Sequence, residues 1–178
     1  VYTPNIDETL LPEESMQQAI VRLAMAKSEA TAKHHPSALI ISCDQLVQVN
    51  DIILGKPHTH KKAVKQLELC SGNTLHSSTA LCVFNAATKQ HQQRVIHYQV
   101  TFKSLTANTI ERYLKRDRPY HCAGSIKAEG LGITLFESLH GEDPSALIGL
   151  PLIALTECLT SEGCDPLGTR KNTKEKTA

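Results

Sequence analysis

An aspartate stands between two apolar runs near the start of the chain. Residues 40–57 read Ile-Ile-Ser-Cys-Asp-Gln-Leu-Val-Gln-Val-Asn-Asp-Ile-Ile-Leu-Gly-Lys-Pro, so Asp44 and Gln45 interrupt strand-like sequence and Lys56 follows a turn. A carboxylate between two strands is costly to bury unless a charged group meets it, which makes Asp44 the first candidate for a functional residue. The alternative interpretation is that Asp44 caps a turn and Lys56 is a surface lysine, since these residue types usually occupy such positions.

Lys27 is a second candidate, because it lies on the inner side of a predicted helix. The helix follows Pro12-Glu13-Glu14-Ser15, and its apolar face comprises Met16, Ile20, Leu23 and Ala24. Lys27 comes one turn after Leu23, so its stem follows the buried side and its amine can point into whatever lies beneath. The alternative is an edge lysine that reaches water. Pro36 requires the helix to end before the next strand.

The remaining pattern alternates between helices and strands. We expect a strand over 38–42, a helix capped by Thr59, antiparallel strands near 79–84 and 95–102, and a helix capped by Thr106. A strand over Ile133–Glu137 and a helix from Pro151 to Gly163 complete the series. The helix-to-strand order predicts an α/β protein, with the antiparallel strands in a second lobe.

Residues 121–132 contain three glycines and several small residues, immediately before the predicted strand Ile133–Glu137. Small residues let the backbone approach a ligand closely. A structural loop would explain the glycines equally well, so this segment alone decides nothing about function.

Length and composition limit the class of protein. With 178 residues, 40% hydrophobic residues and a net charge of +1, the chain fits one compact globular domain or two lobes around a cleft. It has no strongly basic field for nucleic acid and no apolar run of the roughly 20 residues that span a bilayer. We therefore expect a cytoplasmic protein that contacts neither membrane nor nucleic acid directly. The six cysteines form no C-x-x-C pair and are interpreted as structural thiols, with a His/Cys metal cluster as the alternative.

The order of these short motifs closely resembles the Maf family of nucleoside triphosphate pyrophosphatases, from about Pro4 to about Gly168. The matching stretches, in chain order, are Asp7-Glu8, Leu23-Ala24 with Lys27, Asp44-Gln45, Gly55-Lys56-Pro57, 69–72, Thr79, 122–125, Glu129-Gly130 and 149–152. The resemblance implies a Maf/ITPase-like two-lobed α/β fold, with a mixed twisted sheet and flanking helices around a central cleft. It also implies cleavage between the α and β phosphates with a divalent cation, Mg²⁺, Mn²⁺ or Co²⁺.

The same resemblance assigns roles to individual residues. Asp44 is implied to be the base that activates or positions the attacking water and to bind the metal, with Glu8 sharing the metal or its water shell. Lys27 and Lys56 would neutralise phosphate oxygens and the leaving pyrophosphate. Gln45 and Glu129 match the positions that discriminate between bases.

Glu129 directs the substrate prediction within the family. The stretches Asp44-Gln45, 121–136, 143–144 and 164–167 look most like the bacterial subgroup that hydrolyses 7-methyl-GTP. The UTP/dTTP subgroup has a glutamine where Glu129 stands. A carboxylate accepts the paired N–H donors of guanine and suits the positive charge of the methylated ring. The alternatives are a UTP/dTTP-type pyrophosphatase and a non-catalytic, nucleotide-binding Maf-like protein in cell-division control.

The resemblance also predicts how the chain is organised. We expect a single Maf-like domain over 1–168, from which the family's first strand and its Ser/Arg-rich phosphate loop are missing, and a polar, disordered tail over 169–178. A homodimer is expected by family analogy. The predicted role is to remove modified nucleotides before they are incorporated into nucleic acid.

Overall fold

Local signals in the sequence set the limits of the helices. The computed structural model describes residues 1–168, so the tail predicted over 169–178 lies outside the described residues. The helices are α1 Met16–Ala32, α2 His60–Cys70, α3 Ala107–Asp117 and α4 Leu152–Ser161. The side chains of Ser15, Thr59 and Thr106 cap the first three helices, because each accepts a hydrogen bond from a backbone N–H of the first turn. The predicted positions of all four helices are confirmed.

Five strands form a single sheet in the order β2-β1-β3-β4-β5. They are β1 Leu39–Val49, β2 Ile52–Ile53, β3 Thr74–Asn85, β4 His91–Phe102 and β5 Phe136–Gly141. All four neighbouring pairs are antiparallel, so within residues 1–168 the sheet is antiparallel rather than mixed. The α/β class with helices flanking a sheet is confirmed. The strands β3 and β4, predicted to belong to a second lobe, instead continue the sheet that β1 begins.

Two details of the predicted strands are wrong. Asp44 and Gln45 do not separate two strands, because β1 runs through both of them without a break. The strand predicted over Ile133–Glu137 starts only at Phe136, because residues Leu131–Leu135 form a 3₁₀ helix. That helix is held by Asp117, whose carboxylate accepts the Leu131 N–H, and by the Leu135 carbonyl, which accepts the Lys103 N–H. Those are tertiary contacts that the local alternation of residues does not encode.

The sheet buries side chains on both faces. On one face, α1 packs Ile20 and Ala24 against Ala80 and Cys82 of β3. On the other face, α2 and α3 cover one end of the sheet and α4 covers the opposite end. The buried polar residues Ser77 and Thr79 lie on β3 between the apolar cluster beneath α2 and α3 and the apolar cluster beneath α4. None of the helices in residues 1–168 has the length and apolar character needed to span a bilayer.

Candidate active site

A cleft of about 460 Å³ lies along the free edge of β1. Strand β2 pairs only with Gln48 and Val49, so residues 39–47 of β1 have no strand partner on the side away from β3 within the described chain. Successive side chains of a strand point to opposite faces of the sheet. At a free edge no neighbouring strand separates the two faces, so side chains from both faces can line one cleft. Asp44 and Gln45 both line the cleft for this reason. The other four predicted site residues, Glu8, Lys27, Lys56 and Glu129, line it too.

Lys27 connects the two predicted acidic residues. Its Nζ lies 2.5 Å from Asp44 Oδ1 and 2.9 Å from Glu8 Oε1. The Asp44 side chain is 12% exposed and that of Lys27 is 22% exposed, whereas that of Glu8 is 60% exposed. The interpretation of Lys27 as an edge lysine that reaches water is therefore wrong, since its amine turns inward to the carboxylates. Asp44 does not cap a turn either, since it lies within β1.

Burial and pairing act in opposite directions on Asp44. Burial raises the pKa of Asp44 above its ordinary value, and the hydrogen bond and charge of Lys27 offset only part of that effect. For Lys27, burial opposes the charged form, but the hydrogen bonds to Asp44 and Glu8 outweigh it and the pKa of the amine is raised. A carboxylate with a raised pKa is a better proton acceptor than an ordinary aspartate, and here its counter-ion stays protonated. The pair therefore suits acid–base chemistry.

Hydrogen bonds to the preceding residue, Gly55, fix the position of the backbone at Lys56. The Gln66 side chain donates to the Gly55 carbonyl at 2.9 Å and accepts from the Ser125 hydroxyl at 2.5 Å. The Gly124 N–H also donates to the Gly55 carbonyl. Lys56 itself is exposed, lines the cleft and makes no ion pair with any residue of the described chain. Its charge lowers the pKa of Asp44, so the amine acts on the same carboxylate as Lys27.

The glycine-rich segment 121–132 serves both packing and the cleft. A side chain at Gly124 would meet Leu75 and Val47 at 3.2–3.4 Å, and Gly124 also has a positive φ of 67°, which favours glycine. The structural explanation of this glycine is therefore sufficient. The same segment nevertheless brings Cys122, Ala123 and the exposed Glu129 to the cleft wall.

Gln45 lies on the opposite side of β1 from Asp44 and meets a different set of groups. Its Nε2 lies 2.8 Å from the Ala146 carbonyl oxygen and 3.0 Å from Thr79 Oγ1. Ala146 belongs to the 3₁₀ helix Pro144–Ile148, which supplies the part of the cleft wall formed by Leu147 and Ile148. This wall was not foreseen from the sequence, and its signal is the Asp143-Pro144-Ser145 stretch, a capping residue followed by a proline in the first turn.

The donors around Lys27 fit a divalent cation of the magnesium type. Asp44 and Glu8 bring two carboxylates to one amine, and Mg²⁺ is usually held by one or two carboxylates together with substrate phosphates and water. Residues 1–168 contain no group of three or more His, Cys, Asp and Glu side chains arranged to hold a metal ion. The cysteines are free thiols, and burial raises the pKa of Cys43 in the cleft to about 12. Cys43 is therefore a neutral thiol at neutral pH.

These features define an α/β protein whose cleft joins carboxylates and lysines, a combination suited to phosphate chemistry. The chain belongs to the Maf family, because the family profile described as Maf-like protein matches residues 1–162. The family predicted from the sequence is thus confirmed.

Curated relatives match most of the chain. A 7-methyl-GTP pyrophosphatase of Nitrosospira multiformis is 51% identical over 93% of this chain and 83% of that protein. Proteins of the same name from Methylobacillus flagellatus and Pseudoalteromonas translucida are 47% and 45% identical. They match 93% and 97% of this chain, and 86% and 85% of their own lengths.

Proposed function

We propose that this chain is a nucleoside triphosphate pyrophosphatase that hydrolyses 7-methyl-GTP, or a related modified nucleotide, to the nucleoside monophosphate and pyrophosphate. The observation that carries the proposal is the shared amine of Lys27, which joins Asp44 and Glu8 at the free edge of β1. The names of the relatives support the substrate class. Hydrolysis of such nucleotides would keep them out of nucleic acid.

In the proposed reaction, a water molecule attacks the α-phosphorus. Asp44 accepts a proton from this water, and its raised pKa favours the transfer. The bond between the α-phosphorus and the oxygen bridging to the β-phosphorus breaks, and pyrophosphate leaves with that oxygen. Lys27 and Lys56 stabilise the negative charge that moves onto the leaving group.

Asp44 and Glu8 are the proposed ligands of the divalent cation, Mg²⁺, Mn²⁺ or Co²⁺. When bound, such a cation neutralises phosphate charge and polarises the phosphoryl oxygens. Lys27 holds the two carboxylates together through its amine, although they lie far apart in the sequence.

The test is a panel of canonical and methylated nucleoside triphosphates incubated with Mg²⁺ or Mn²⁺, with pyrophosphate release as the readout. We expect 7-methyl-GTP to be the best substrate and a chelator to abolish release until the cation is restored. Faster release from UTP or dTTP would indicate the pyrimidine class instead. Nucleotide binding without release would indicate the non-catalytic alternative.

We further propose that residues 1–168 act as one Maf-like domain in a homodimer. Apolar side chains in 148–153 are exposed, with Ile148 at 61% and Ile153 at 53%, and such a patch suits contact with another protein surface. Sedimentation equilibrium tests the dimer, and a concentration-independent monomer mass would contradict it.

A further inference from the structure

The protein holds Lys56 through its backbone rather than through its side chain. The Lys56 side chain is exposed and makes no ion pair with any residue of the described chain. The residues on either side of the Gly55-Lys56 pair, Leu54 and Pro57, are both buried. How far the amine reaches into the cleft therefore depends on how the backbone of residues 54–57 is fixed.

The side chain of Gln66 joins the two loops that meet beside Lys56. A carbonyl oxygen can only accept a hydrogen bond, so the Gln66 atom 2.9 Å from the Gly55 oxygen is the amide nitrogen. The amide oxygen then faces Ser125, whose hydroxyl donates to it at 2.5 Å. One amide thus uses its two ends on two different loops. Neither Gln66 nor Ser125 lines the cleft, so neither is placed to touch a substrate there.

Gln66 is carried by a helix that is fixed in the core. Ala63, Leu67 and Cys70 of α2 are 0% exposed and belong to the apolar cluster beneath α2 and α3. Gln66 itself is half-buried and directly precedes Leu67. The helix therefore provides a rigid base from which the Gln66 amide reaches both loops.

The joined loops contain residues with left-handed backbone conformations. Gly124 and Ser125 have φ values of 67° and 59°, and His58 has a φ of 57°. This region favours glycine, and other residues are held there at a cost by the contacts around them. The Ser125 hydroxyl has its hydrogen bond to Gln66, and the His58 N–H donates to the Tyr120 carbonyl at 2.9 Å. A serine at position 125 is therefore explained by its hydroxyl rather than by its backbone.

We propose that Gln66 and Ser125 are positioning residues that set the reach of the Lys56 amine in the cleft. The inference rests on the proposed function, in which Lys56 stabilises negative charge on the leaving pyrophosphate. A lysine is a compact charge on a flexible stem, so its effect on a transition state depends on where its backbone lies. A displacement of about 1 Å can lower a rate by about a hundredfold, even when the substituted residue is away from the reacting atoms.

The test is a double-mutant cycle between Gln66 and Lys56. Gln66→Met keeps the length of the side chain but removes both hydrogen bonds, and it is measured in the wild-type and in the Lys56→Met background. The readouts are kcat and KM for 7-methyl-GTP with Mg²⁺, together with Tm. Gln17→Met, the same substitution at an exposed position of α1 outside the cleft, is the matched control.

We expect Gln66→Met to lower kcat by about tenfold and to change KM by less than about threefold, because Lys56 acts on charge that develops in the transition state. In the Lys56→Met background the same substitution should leave kcat unchanged, and Gln17→Met should be neutral in both. An equal loss of kcat in the two backgrounds would overturn the inference, since a purely structural effect does not depend on the amine. An unchanged kcat in Gln66→Met would overturn it as well.

Ser125→Gly gives a second, independent measurement. It removes the hydroxyl but also relieves the positive φ, so its two effects on stability oppose each other and Tm should change little. The value of kcat should still fall by about fivefold, and only while Lys56 is present. A folded Ser125→Gly variant with the wild-type kcat would contradict the role of Ser125. If Gln66→Met does not fold, Ser125→Gly decides by the same comparison of backgrounds.

The two proposals can fail separately. If the wild-type protein releases no pyrophosphate, the proposed function fails, and the cycle is repeated with calorimetric Kd values for pyrophosphate in the presence of Mg²⁺. A Kd that rises by about fivefold in Gln66→Met, with no further rise in the Lys56→Met background, supports the positioning of Lys56 without catalysis. The same Kd in every variant, or a wild-type protein that binds no pyrophosphate, overturns it.

Discussion

Lys27 Nζ lies 2.5 Å from Asp44 Oδ1, although the two residues are 17 positions apart and belong to different elements. The contact provides the cation that a largely buried carboxylate requires. It also brings α1 and the free edge of β1 to the same cleft.

Asp44→Asn should lower kcat by about a hundredfold or more, since an amide accepts no proton from water. Binding of 7-methyl-GTP should stay within a fewfold of wild type, because the lysines remain. Asp51→Asn is the matched control, as Asp51 is exposed in the turn after β1. Pyrophosphate release and calorimetry measure the two quantities, and a near-normal kcat would remove Asp44 from the role of base.

Lys27→Gln should move the acid limb of the pH–rate profile to higher pH. Lys27 lowers the pKa of Asp44, so loss of its charge raises that pKa further, and Asp44 becomes a competent base only at a higher pH. The measurement is kcat/KM from about pH 5 to about pH 9. Lys33→Gln, at an exposed position just after α1, should leave the profile in place. An unshifted acid limb in Lys27→Gln would mean that another group titrates.

Glu129→Gln should reduce the preference for 7-methyl-GTP over UTP. The substitution removes a negative charge that suits the cationic methylated ring and gives the side chain a donor that uracil can use. The ratio of kcat/KM values for the two substrates is the readout. Glu137→Gln, at an exposed position of β5, is the control. An unchanged ratio would show that other residues select the base.

Asp143→Asn should destabilise the fold in a pH-dependent way. Burial alone would raise the pKa of Asp143, but its hydrogen bonds from Ser145 and Ile153 outweigh burial and lower that pKa. A lowered folded-state pKa contributes stability that is present above the ordinary value of 3.8 and is lost as the pH falls through the folded-state value. We expect a loss of about 1.5–3 kcal/mol in the free energy of unfolding at neutral pH.

Urea unfolding at several pH values measures the Asp143→Asn effect. The difference from wild type should shrink as the pH falls below the ordinary value of 3.8 and through the lower folded-state value, because the stabilising charged form is then lost. Asp51→Asn again serves as the control, with no such trend. A loss that stayed constant into acid would assign the effect to packing rather than charge.

Local chemistry made the helices predictable. Ser15, Thr59 and Thr106 each cap a helix, and a single side-chain oxygen next to an apolar period of 3.6 is sufficient signal. The boundaries of the strands were harder to predict. Whether Leu131–Leu135 extends into β5 or coils depends on Asp117 and Lys103, which lie far away in the chain.

The sequence by itself determined which chemical groups are available: the carboxylates of Asp44 and Glu8, the amine of Lys27, and the amide of Gln45. Tertiary structure decided how they are used. The free edge of β1 lets neighbouring side chains from both faces reach one cleft. It also decided which end of the Gln45 amide is bound within the protein. The amide nitrogen lies 2.8 Å from the carbonyl oxygen of Ala146, a residue 101 positions later. No local pattern encodes a contact of that range, since its geometry depends on the packing of the whole sheet.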